Sequence, residues 1–120
     1  GFLDIVLDFI VYGSVPLAFA ILDPARNALP AAVLLMSFFA NGTTFLAFAV
    51  MAERRKMETT AQGRKSLYYM SGLAEGFETV VALAAMFMFP EHFPIVAYGY
   101  AALCFLSAIG RILIGWRQLA

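Results

Sequence analysis

Four apolar stretches, each about 20 residues long, dictate what this 120-residue chain can become. They run from Phe2 to Leu22, from Leu29 to Ala52, from Ser71 to Phe89 and from Ile95 to Trp116. In hydrocarbon every backbone polar group must find its partner inside the segment, which leaves the helix as the solution for stretches of this length. The sequence therefore predicts one domain over residues 1–120: an all-α, multi-pass transmembrane helix bundle with four spans. Breaker residues separate the spans. Asp23-Pro24 and Asn27 with Pro30 read as a first turn, and Pro90-Glu91-His92-Phe93-Pro94 as a third. Pro16 is expected to kink the first span.

Composition closes off the other classes. The chain is 62% hydrophobic and 13% charged, with a mean hydropathy of +0.83, against about 45–50% and about 25% in a soluble domain. Disorder needs low hydrophobicity, and a single cysteine, Cys104, rules out a disulfide scaffold. Eight Lys/Arg balance eight Asp/Glu without a basic stripe, so nucleic acid is not an expected partner.

Charge also orients the chain. Residues 53–66 carry Arg54, Arg55, Lys56, Arg64 and Lys65 against Glu53 and Glu58, whereas the two tight turns offer only Arg26 beside Asp23 and Glu91. The positive-inside rule places the long loop, both chain ends and Arg117 in the cytoplasm. Trp116, Tyr98, Tyr100, Tyr68 and Tyr69 fall near span ends and read as interfacial aromatics. The first span bears two acids and no basic n-region, unlike a signal peptide. The chain opens on Gly1, so it is expected to be part of a longer protein.

An ionised side chain near the bilayer centre costs at least about 2.5–3.5 kcal/mol, so intramembrane acids demand an explanation. Asp4 and Asp8 are one turn apart on one face of the first span, with Tyr12 continuing the row. Glu75 and Glu78 share a face at the start of the third. The topology brings both pairs to the cytoplasmic side, under Arg64, Lys65 and Ser66. Carboxylates gathered at one depth repel unless they are protonated or bridged by a cation, and hard oxygen donors suit Mg²⁺, Ca²⁺ or Mn²⁺. A metal and a basic mouth would make a phosphate site, and a spare carboxylate could act as general base. Plainer roles compete. The helix dipole accounts for Asp4 better than for Asp8, two turns in. Glu75 and Glu78 are equally explained as ion-pair partners of Arg111 or Lys65, and the basic loop as topology and headgroup contacts. Asn41-Gly42-Thr43-Thr44 reads as helix packing, Cys104 as a core thiol, and His92 as a turn residue without ligand partners.

The opening Gly1-Phe2-Leu3-Asp4-Ile5-Val6-Leu7-Asp8 resembles the second half of the signature of CDP-alcohol phosphotransferases (phosphatidyltransferases), D-x2-D-G-x2-A-R followed by G-x3-D-x3-D. The D-x3-D spacing matches, while the motif glycine would precede Gly1 and the first half is absent. Asp23-Pro24-Ala25-Arg26 has the wrong spacing and the wrong side to replace it. Gly72-Leu73-Ala74-Glu75-Gly76-Phe77-Glu78-Thr79 also looks like the corresponding helix of bacterial inner-membrane members. The resemblance implies spans three to six of six in the inner membrane, with a cytoplasm-facing site and a homodimeric assembly. It implies a Mg²⁺- or Mn²⁺-dependent transferase of phospholipid biosynthesis that moves a substituted phosphate from a CDP-linked lipid donor to a small alcohol, releasing CMP. On this chain Asp4 matches a metal ligand, and Asp8 a metal-proximal base. Arg64, Lys65, Glu75 and Glu78 are candidate substrate contacts. Without the other two signature aspartates, the 120 residues alone are expected to be inactive. The rival readings are a small four-span cation- or proton-coupled exporter and a non-catalytic assembly subunit.

Overall fold

In a computed structural model, residues 1–54 and 76–119 are described, and among them the chain is all-α. Helix α1 spans Phe2–Leu22, α2 Pro24–Arg54 and α3 Gly76–Met88, and a 3₁₀ turn at Pro90–His92 leads directly into α4, Phe93–Leu119. Stretches within α1, α2 and the turn-plus-α4 unit (Phe2–Leu22, Pro24–Met51 and Pro90–Arg117) are long and apolar enough to cross a membrane. Helix α3 is described over 13 residues, and the expected start of its span at Ser71 lies outside the described residues.

The first turn is tighter than its breakers imply. Asp23 alone separates α1 from α2. Its N–H donates to the Phe19 carbonyl at 3.3 Å, and its own carbonyl accepts from the N–H groups of Arg26 at 3.2 Å and Asn27 at 2.8 Å. Pro24 then occupies the first helical position, where no N–H is needed. Pro30, expected in the turn, lies inside α2 and is buried. Packing offsets the one helical hydrogen bond it deletes, with the Asn27 side chain donating to the Phe19 carbonyl at 2.9 Å to hold α2 against α1. Likewise α1 continues through Pro16, whose ring is fully buried. At the same end the Arg26 guanidinium donates to the Glu91 carbonyl, joining the two tight turns.

Cross-helix pairs set the topology. Phe38 meets Tyr100, Asn41 meets Arg111, and Phe48 packs beside Gly115, so α2 and α4 run parallel in close contact. Phe19 against Asn27, and Phe9 against Gly42, make α1 antiparallel to α2. Thr79 against Tyr100 makes α3 antiparallel to α4. Ala97, Ala101, Cys104 and Ala108 form a row of small buried residues on α4, facing Ala31, Leu34 and Ser37 of α2. Small side chains let helix backbones approach where lipid supplies no hydrophobic drive. Phe19 stacks on Phe93 at 4.4 Å between centroids and tilts against Phe87 at 5.8 Å, closing the turn end. The outward faces stay apolar, as lipid contact requires. Only 17% of the spanning window of α1 is buried.

One aromatic expectation changes. Tyr98 and Trp116 are exposed, but Tyr100 is buried and its hydroxyl is bonded to Thr79, so it belongs to the core. Tyr68 and Tyr69 lie outside the described residues.

Candidate functional site

At the end opposite the tight turns, where residues 55–75 connect α2 to α3, all four helices contribute to a cavity of about 190 Å³. Helix α1 supplies Asp8, Phe9 and Tyr12, α2 supplies Phe38, Asn41, Gly42 and Phe45, α3 supplies Thr79 and α4 supplies Arg111. Five polar side chains thus share a lining that is otherwise apolar and aromatic.

Arg111 organises this space. It is 3% exposed, an arginine buried within the bundle. Its Nη1 donates to the Asn41 carbonyl at 3.2 Å and to Asn41 Oδ1, and its guanidinium lies 5.4 Å from the Phe45 ring centroid. A desolvated guanidinium needs such company, because hydrogen bonds and a ring face replace part of its lost hydration. Thr79 Oγ1 and the Tyr100 hydroxyl are 2.7 Å apart, and Tyr100 packs edge-on against Phe38. Phe9 and Tyr12 make an edge contact at 6.5 Å.

The expected site residues fare differently. Asp8 is exposed yet lines the cavity, about 9 Å from the start of α1 at helical rise. Asp4 stands outside it. Its side chain is 86% exposed. Glu78 is half-buried at the start of α3, one residue before the lining residue Thr79. Glu75, Arg64 and Lys65 lie outside the described residues, as do Arg55, Lys56, Glu58 and Ser66.

Among the described residues no three His, Cys, Asp or Glu side chains come together as a metal site. Asp4 and Asp8, one turn apart on an open helix face, fit a hard divalent cation in donor type. In number they supply part of a coordination set.

Sequence reasoning named Arg111 only as an ion-pair partner for Glu75 or Glu78, and Asn41 only as packing. The structure gives Arg111 a hydrogen-bonding partner in Asn41, and brings both to the cavity with Thr79. A signal was available. Asn41 is the one carboxamide of the second span and Arg111 the one charge of the fourth, and a buried charge in a membrane requires a polar partner.

No family model matches the chain, and no solved structure matches it. Over 119 residues, 99% of its length, it is 39% identical to "Inner membrane protein YnjF" of Escherichia coli (strain K12), and it spans 58% of the length of that relative. Membrane residence is common to that name and to the three long apolar helices.

Proposed function

We propose that this chain is part of an inner-membrane, divalent-metal-dependent transferase. It moves a substituted phosphate from a CDP-linked donor such as CDP-diacylglycerol to an alcohol, releasing CMP, in phospholipid biosynthesis. The observation that carries the reading is the placing of Asp8, the second aspartate of D-x3-D, in one cavity with buried Arg111 at the end of the bundle opposite the tight turns. The inner-membrane name of the similar Escherichia coli protein supports the location, and the basic residues of the sequence from 53 to 66 support a site open to the cytoplasm.

Each residue has a task that its surroundings suit. Asp8 is exposed and lines the cavity, so it can take the proton of an acceptor hydroxyl held there. The freed oxygen bonds to the phosphorus bearing the donor's substituent. The bond from that phosphorus to the bridging oxygen breaks, and the electron pair leaves with CMP. Asp4 and Asp8 are the residues that would hold Mg²⁺ or Mn²⁺, which when bound offsets diphosphate charge and eases departure of CMP. Arg111, hydrogen-bonded to Asn41, puts a permanent positive charge into the cavity wall. Arg64 and Lys65 add positive charge to the segment between α2 and α3, and Glu75 with Glu78 add a negative counterpart. Homodimerisation accompanies this reading.

The test uses the full-length protein, purified in detergent with CDP-diacylglycerol, Mg²⁺ and separate acceptors such as glycerol phosphate, inositol phosphate and serine. CMP release that chelator abolishes is expected with one acceptor. No release with any acceptor, together with cation-coupled flux in proteoliposomes, would replace the transferase with the exporter.

A further inference from the structure

A row of buried hydroxyl and thiol groups runs from the cavity into the core, and its protons can be placed one by one. Thr79 of α3 lines the cavity, and its Oγ1 is 2.7 Å from the Tyr100 hydroxyl of α4. One turn further along α4, the Cys104 thiol is hydrogen-bonded both to that hydroxyl and to Ser37 of α2. Ser37 Oγ in turn donates to the Leu34 carbonyl at 2.6 Å. All four side chains are buried, so they find their partners in one another and in this carbonyl.

The carbonyl at the far end sets the direction. Each hydroxyl or thiol has one proton to give, whereas a carbonyl only accepts. The Ser37 proton is therefore committed to Leu34, and Cys104 must donate to Ser37 Oγ. The Cys104 sulfur then accepts from Tyr100, and the Tyr100 oxygen accepts from Thr79. Every proton points away from the cavity. Thr79 keeps oxygen lone pairs for a ligand and no proton. Because the row ends on a peptide carbonyl, it orients the Thr79 hydroxyl and does not conduct protons.

We infer that Thr79 Oγ1 is a hydrogen-bond acceptor for a hydroxyl group of the ligand in this cavity, its polarity imposed from Ser37 through Cys104 and Tyr100. Ionised Asp8, in the same lining, also only accepts, and Arg111 only donates. A ligand with one hydroxyl at Asp8 and a second at Thr79 satisfies both acceptors. An anionic oxygen at Thr79 would set lone pair against lone pair, and an ammonium would share the cavity with the buried Arg111 charge. The chemistry selects a polyhydroxylated alcohol. This deepens the transferase reading and rests on it for the identification of that ligand with the acceptor. Thr79 is then a specificity residue, and Tyr100, Cys104 and Ser37 are positioning residues.

The test is isothermal titration calorimetry on the full-length protein in detergent without donor, so that binding is read apart from turnover. The probes are glycerol phosphate, inositol phosphate, serine, and hydroxypropyl phosphate, which is glycerol phosphate without its central hydroxyl. One polyol phosphate is expected to bind at least about tenfold more tightly than hydroxypropyl phosphate, the discrimination of one hydrogen bond. Thr79→Val keeps the branched shape and should erase that preference by weakening the polyol alone; Tyr100→Phe serves if Thr79→Val does not fold. Ser37 lies outside the cavity lining, yet Ser37→Ala should cut the preference by about threefold or more, and Ser37→Thr should restore it. The Cys104 S–H infrared band, identified by its loss in Cys104→Ala, should rise in wavenumber in Ser37→Ala as the thiol loses its acceptor. No binding of either polyol phosphate, tighter binding of serine, or a preference indifferent to Thr79→Val or to Ser37→Ala overturns the inference. CMP release on the same preparation separates the two ideas. Polyol preference without release removes the transferase and keeps the Thr79 site, and release without the preference does the reverse.

Discussion

Replacing Asn41 with leucine tests whether the buried guanidinium depends on its neighbour. The change keeps the branched, four-heavy-atom shape of the side chain and removes Oδ1, one of the two Asn41 oxygens to which Arg111 Nη1 donates, leaving the backbone carbonyl at 3.2 Å. A neutral hydrogen bond between helices in a bilayer contributes only about 0.6 kcal/mol. Here the donor is charged and Arg111 is 3% exposed, so the larger range for charge-assisted bonds applies, about 1.5–3 kcal/mol. Loss of one bond of that kind should destabilise the bundle by about 2 kcal/mol. Arg111→Met should cost less than its buried position implies, because it removes the charge along with its bonds. In the double variant the leucine then has no charge left to strand. The measurement is reversible SDS unfolding in mixed micelles, followed by circular dichroism, for the wild type, both single variants and the double. A coupling energy of about 1.5 kcal/mol or more is expected. Additive effects, or an Asn41→Leu cost below about 0.5 kcal/mol, would refute the claim that Asn41 stabilises the charge.

Other perturbations reach other parts of the molecule. Asp8→Asn in the full-length protein should abolish CMP release while leaving unfolding within about 0.5 kcal/mol of wild type, because the side chain is exposed; near-normal turnover would remove Asp8 as the base. Phe19→Ala should destabilise by about 3–5 kcal/mol, since a 5% exposed ring stacked on Phe93 is deleted and its space stays empty. Gly42→Ala should cost about 1–3 kcal/mol by pushing the Phe9 ring away, and combining it with Phe9→Leu should recover most of that in the same unfolding assay. In a Cys104→Ser background, a thiol-reactive probe added from the cytoplasmic side should label Lys65→Cys but not Glu91→Cys. The opposite pattern would invert the topology.

Much was legible in the sequence because membrane folding is governed by local rules. Apolar length with breaker chemistry at Asp23-Pro24 and Pro90 was enough to place the helices, since hydrocarbon leaves the backbone little alternative. Proline positions were less legible. Pro24 ends up where a proline belongs, while Pro30 is absorbed inside α2, because the cost of one missing hydrogen bond depends on packing that sequence does not display. Tyr100 shows the same limit. Its position near a span end suggested an interfacial aromatic, and Thr79, from a helix 21 residues earlier, draws its hydroxyl into the core.

By itself, then, the sequence determined the class of fold, the approximate spans and the row formed by Asp4, Asp8 and Tyr12, each set by composition or by the helical repeat. Only the tertiary structure decided which of these residues share a space. It joined Asp8 to Arg111 and Asn41 and left Asp4 outside. Spacing along one helix fixes a residue's face and depth, but the partner across a cavity depends on how helices cross, and that is decided by small side chains and buried rings far from the acids themselves.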